Sequence, residues 1–140
     1  DLAQAVVPVA PDAAPSARRA KVLVIDDEPL ITRILQKGLS RHDVTVASQG
    51  RDALARIDRG EAFDVILCDL MMPDVSGIDV HEQLMRTHPE VVTRIVFMTG
   101  GAFTSKAKQF LATVPNERID KPFSLAQVKQ LVERYLEAGA

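Results

Sequence analysis

The sequence predicts an α/β fold: a doubly wound, five-stranded parallel sheet, strand order 2-1-3-4-5, with a helix after each strand. Three observations carry this expectation. Continuous β-branched apolar runs such as Val22-Leu23-Val24-Ile25 have the composition of parallel strands covered on both faces. Stretches with apolar residues at helical spacing separate these runs. Four of the runs end in side chains that can do chemistry: Asp26-Asp27, Asp69, Thr99 and Lys121.

The elements follow in order. Strand one is Val22 to Ile25, and helix one starts near Pro29, a residue suited to the first turn because its missing N–H would have no partner there. Leu30/Ile31, Ile34/Leu35 and Leu39 form its apolar stripe. Val44-Thr45-Val46-Ala47 is strand two, and the stretch after Gly50 with Ala53, Leu54 and Ile57 is helix two. Strand three runs from Phe63 to Cys68, and helix three from Ile78 to about Thr87, stopping before Pro89. Arg94 to Met98 is strand four. Helix four uses Phe103, Ala107, Phe110 and Leu111, and Val114-Pro115 ends it. A short strand five at Arg118-Ile119-Asp120 precedes Lys121-Pro122. The last helix opens with Ser124 and Gln127 at capping-box spacing, then buries Leu125, Val128, Leu131, Val132 and Tyr135 or Leu136.

Bulk properties narrow the function. The chain has 140 residues, 46% apolar and 26% charged, enough for one domain with a core. A net charge of −2 without a concentrated basic face argues against nucleic acid as a partner of this domain. The single cysteine, Cys68, excludes an internal disulfide and fits a cytoplasmic location; its composition is that of a small buried core residue. No apolar stretch approaches membrane-spanning length, so no membrane contact is expected from this segment. His42, His81 and His88 lack ligand-like spacing, and surface placement is their default. Residues 1–20 hold seven Ala and three Pro and no aromatic residue, the composition of a semi-extended linker rather than a core; an ordered strand through Val6 to Val9 is the lesser alternative. Residues 21–140 form the domain. The linker and the missing initiator Met lead to the expectation of a larger parent protein.

In a doubly wound sheet the carboxyl ends of the strands share one edge, and ligands bind where the winding reverses. Asp26, Asp27, Asp69, Thr99 and Lys121 therefore converge. Carboxylates packed together raise one another's pKa unless a cation neutralises them. The available donors are all oxygens, which favours a hard divalent ion, Mg²⁺. With a hydroxyl and an ammonium beside them, these are the parts of phosphoryl transfer, and Asp69 is the candidate nucleophile.

Residues 21–138 resemble the receiver domains of response regulators in two-component signalling, which share the flavodoxin-like fold. The matching residues are Asp26-Asp27, Asp69 in Asp-Leu-Met-Met-Pro-Asp with Gly77, Thr99-Gly100, and Lys121-Pro122-Phe123. Each motif is weak alone; together, in order, they are strong. The resemblance implies that Asp69 is phosphorylated by a phosphohistidine of a histidine kinase or histidine phosphotransfer domain. It also implies that Asp27 and Asp69 bind Mg²⁺ directly, Asp26 through water, and the Met71 backbone carbonyl completes the set. A cis Lys121-Pro122 peptide is implied too.

Arg118 departs from the family pattern, standing where many receivers carry an aromatic switch residue three positions before the lysine. The segments around Thr99 to Phe103 and Asn116 to Arg118, with the linker, are more similar to receivers at the C-terminal end of hybrid sensor histidine kinases. The alternative is a receiver-like interaction scaffold that is not phosphorylated. An aspartyl-phosphate phosphohydrolase is less favoured. The haloacid-dehalogenase-like phosphatases need a second acid two residues after the nucleophile, and here that residue is Met71. Whether the domain has any catalytic activity of its own, such as self-dephosphorylation, stays open. A flavin-binding module would want a phosphate-cradling loop after strand one, where Asp26-Asp27-Glu28 would repel the phosphate.

Overall fold

The computed structural model describes residues 18–100 and 104–138. Within them five strands, β1 Lys21–Ile25, β2 Asp43–Ala47, β3 Val65–Asp69, β4 Ile95–Gly100 and β5 Arg118–Lys121, form one sheet in the order β2-β1-β3-β4-β5. Every neighbouring pair is parallel. Among the described residues six helices cover it: α1 Pro29–Gly38, α2 Gly50–Asp58, α3 Gly77–Thr87, α4 Pro89–Val92, α5 Ser105–Thr113 and α6 Leu125–Ala138. The architecture is the predicted one with one addition. Pro89, expected only to end helix three, also opens the short α4, because proline suits a first helical turn.

Strand alternation divides the core. Leu23, Ile25, Ile66, Cys68, Ile95 and Phe97 face the side covered by α2, α3, α4 and α5. Val22, Val24, Val65, Leu67, Val96 and Met98 face α1 and α6. Alternate residues along each strand thus serve opposite layers, as the pleat requires, and each fully buried Leu, Ile, Val or Phe contributes about 1.5–3 kcal/mol.

Several expectations change in detail. In α1, Leu35 and Leu39 are buried, but Leu30 is 63% exposed and Ile34 37% exposed. The predicted stripe is wider than the face the sheet can cover. His42 and His81 are buried rather than at the surface. His42 is held by the Ala20 N–H on Nδ1 and by Glu133 beside Nε2, while His81 packs edge-on against Phe110. Half of the expected capping box at α6 forms, with Ser124 Oγ accepting from the Gln127 N–H. Phe103, nearly all of the linker, and the lesser strand through Val6 to Val9 lie outside the described residues. Ala20 is already fully buried. Among the described residues no helix is long and apolar enough to cross a membrane.

Candidate functional site

The chain leaves β1 outward to β2 and returns across it to β3, so the winding reverses between β1 and β3. Asp26 continues the β1 ladder, its N–H donating to the Ala47 carbonyl at 3.1 Å. That bond fixes the carboxylate at the sheet edge, wholly buried. One of its oxygens accepts from the Glu28 N–H at 2.9 Å and the other from Lys121 Nζ at 2.9 Å. Asp27, the next residue, is exposed.

Asp69 is the last residue of β3 and is 6% exposed. Its Oδ1 accepts from the Met71 N–H at 3.4 Å and lies 3.7 Å from Lys121 Nζ. The turn behind it depends on Gly77: a Cβ there would stand 2.7 Å from the Asp69 carbonyl oxygen and 2.8 Å from Leu70 Cα. The chain therefore folds back onto the end of β3 only with no side chain at that position. Asp74 takes the one left-handed conformation in this loop, φ 64°, tolerable for an aspartate. Ser76 then caps α3. Its Oγ accepts from the Asp79 N–H while the Asp79 carboxylate accepts from the Ser76 N–H.

Lys121 ends β5, and the Lys121-Pro122 peptide is cis. Its Nζ reaches Asp26, Glu28 at 3.4 Å and Asp69. Burial alone would lower this ammonium, but the hydrogen bond to Asp26 and the charges of Asp69 and Asp26 hold it above its usual value. Asp69 shifts the other way for a carboxylate. Burial first, then the charge of Asp26, pushes it up to about 6 against the pull of Lys121 and the Met71 N–H.

One carboxylate oxygen each from Asp26, Asp27 and Asp69 lies within 4.8 Å of the others. One lysine among four acids leaves the pocket short of positive charge. The donor set, hard and anionic, fits a divalent cation of the Mg²⁺ class. Beside Asp27 a cleft of about 240 Å³ opens between the β2–α2 and β3–α3 loops, lined by Ser48, Arg51, Met72 and Asp74 among others.

Thr99 is 2% exposed on β4. Its hydroxyl does not stand free: Oγ1 donates to Asp120 Oδ1 at 2.7 Å. Sequence reasoning passed over Asp120, although parallel pairing of β4 and β5 sets it opposite Thr99. Arg118, at the family's aromatic position, is exposed and lies opposite Phe97. Met71 presents a side chain 44% exposed at the rim. Cys68 is free and buried, its thiol pushed up by burial. Asp26, Asp27, Asp69 and Lys121 are thus brought together as expected. Thr99 joins them on the same edge with its hydroxyl turned to β5.

Known proteins are similar to this chain in sequence and in fold. The ResD transcriptional regulatory protein of Bacillus subtilis (strain 168) is 33% identical over 120 residues, 81% of this chain and 48% of its own length. A hybrid signal transduction histidine kinase L of Dictyostelium discoideum is 31% identical over 134 residues, 89% of this chain but 8% of that protein. The chain spans less than half the length of such curated relatives. Among solved structures, Vibrio cholerae chemotaxis protein CheY4 superposes with a TM-score of 0.71 at 27% identity, covering 84% of this chain and 99% of that one. The family model for the response regulator receiver domain matches residues 22–133, from within the first buried strand into the last helix, and the chain belongs to that family.

Proposed function

We propose that this domain accepts a phosphoryl group from a phosphohistidine, on a histidine kinase or histidine phosphotransfer domain, onto Asp69. The observation that carries the reading is Asp69 itself: a nearly buried carboxylate, 3.7 Å from an ammonium and within reach of two further acids. In the transfer an Asp69 carboxylate oxygen forms the O–P bond. The P–N bond breaks, and its electron pair leaves on the imidazole nitrogen. Lys121 supplies fixed positive charge to a phosphoryl oxygen, and the Thr99 hydroxyl donates to another. Asp27, Asp69 and the Met71 carbonyl would hold Mg²⁺, with Asp26 through water, and the ion would offset the mutual repulsion of carboxylate and phosphoryl donor.

The exposed side of α1 supplies a docking face. Leu30, Arg33, Ile34 and Lys37 lie at helical spacing, all exposed, beside the site that follows β1. An apolar centre with basic flanks fits a helical partner carrying the phosphohistidine. Placement at the end of a hybrid sensor histidine kinase is supported by relatives of that kind, the hybrid kinase L and the sensor kinase CckA of Brucella abortus (strain 2308). The free Cys68 is compatible with the cytoplasmic location that goes with this reading.

Incubation with Mg²⁺ and phosphoramidate, followed by intact mass measurement, tests the proposal. The wild-type chain gains one phosphoryl group and Asp69→Asn gains none. An unchanged wild-type mass removes the phosphoacceptor reading and leaves the interaction scaffold.

A further inference from the structure

A hydroxyl has one proton to donate. In the unphosphorylated domain Thr99 gives it to Asp120 Oδ1 at 2.7 Å, a short hydrogen bond to a charged acceptor. The acceptor is set by the fold, since Thr99 and Asp120 are register partners of β4 and β5. The hydroxyl side is buried and the carboxylate side exposed. Asp120 can therefore move without disturbing the core, whereas Thr99 can only turn in place. Receipt of a phosphoryl group on Asp69 calls on the same proton.

We propose that Asp120 is a positioning residue. It holds the Thr99 hydroxyl turned away from the pocket in the resting domain and yields it when Asp69 is phosphorylated. Phosphoryl uptake and the state of the edge strand β5 are then coupled through the exchange of one hydrogen bond. The coupling is reciprocal: whatever draws Asp120 away from Thr99 favours uptake, and uptake frees the Asp120 carboxylate at the surface. No ring is needed at position 118, where this chain carries an exposed arginine. The proposal rests on the phosphoacceptor reading above.

The test follows the rate of phosphoryl gain by intact mass, with phosphoramidate and Mg²⁺, where the O–P bond forms on Asp69 and ammonia leaves with the P–N electron pair. Wild type, Asp120→Ala and Asp120→Asn are compared, each also in a Thr99→Ala background. Asp120→Ala takes up the group about three- to tenfold faster than wild type, the range expected for releasing a partly exposed charged hydrogen bond. Asp120→Asn falls between, because its amide oxygen still accepts but without charge. Both gains vanish in the Thr99→Ala background. That last comparison separates the hydrogen bond from general electrostatics, since losing a negative charge near the pocket would speed uptake whether or not Thr99 is present. Equal rates in wild type and Asp120→Ala overturn the coupling and leave Asp69 as acceptor. A gain that persists without Thr99 overturns it as well. Absence of any phosphoryl mass on wild type overturns both readings.

Discussion

Asp69 keeps its negative charge at a cost, because burial and the charge of Asp26 push its carboxyl up to about 6. It is nearly buried, a second buried carboxylate stands beside it, and the nearest cation is shared with Asp26 and Glu28. Replacing it with an amide of the same shape removes one of three clustered like charges. We expect Asp69→Asn to unfold at higher urea concentration than wild type in metal-free buffer at neutral pH, by about 1 kcal/mol after allowance for solvent screening. Added Mg²⁺ should raise wild type toward the variant, because a ligand that binds only the folded form stabilises it by mass action. A variant less stable than wild type without metal would show that Asp69 makes a net structural contribution. Asp26, Asp27, Asp69 and Lys121 were legible in the sequence because a charged residue directly after a buried apolar run marks a strand end. Asp120 was not legible. Its significance comes from pairing across β4 and β5, and only register, not composition, sets it against Thr99. His42 and His81 were misplaced for a similar reason, since an isolated histidine carries no periodic signal and its burial depends on partners distant in the chain.

At the scale of elements, the strands were read to within two residues at each end, because buried parallel strands leave uninterrupted apolar runs. Helices were read less well where the sheet covers only part of a stripe. Leu30 and Ile34 sit on the apolar side of α1 by sequence yet remain exposed. The β3–α3 connection shows how an element positions the site. Ser76 and Asp79 satisfy each other's backbone donors at the start of α3, a capping box hidden from a search for Glu or Gln at the third position. Gly77, the first residue of α3, packs its bare Cα against the end of β3. Gly77→Ala would place a methyl group 2.7 Å from the Asp69 carbonyl oxygen. Backbone must move to admit it, with an expected cost of about 1–3 kcal/mol. The same shift disturbs the strand end that carries the acceptor, so phosphoryl uptake should fall together with the melting temperature. A Gly77→Ala domain with wild-type stability and uptake would mean that the loop relaxes freely, and Gly77 would lose its role in setting Asp69.

For the whole molecule, the two core layers account for the doubly wound topology, and a polar contact outside the site ties the start of the sheet to α6. The His42 ring lies between Ala20 at the entrance to β1 and Glu133 on α6, accepting the Ala20 N–H on Nδ1 at 2.9 Å with Nε2 3.1 Å from the Glu133 carboxylate. Both contacts are satisfied by the neutral ring with its proton on Nε2. A second proton would set Nδ1–H against the Ala20 N–H. Burial, then the neighbouring Arg41, lowers the His42 pKa, with Arg19 adding to this and Glu133 opposing it. The unfolded chain therefore binds a proton at a higher pH than the folded domain does. The contribution of His42 to stability is complete above the unfolded value of about 6.5 and declines as pH falls below it. His81 is shifted in the same direction by its own burial, so the acid sensitivity of wild type alone would not identify the residue responsible. The difference between wild type and His42→Asn does, because His81 titrates equally in both. Asn offers an acceptor near the Nδ1 position but does not titrate. Urea unfolding at pH 8 should find wild type more stable by about 1 kcal/mol, the value of one neutral hydrogen bond. At pH 5 the gap should narrow or close. A gap that stays constant across this range would mean that His42 takes up its proton at the same pH in the folded and unfolded chain, and that its contribution is packing alone.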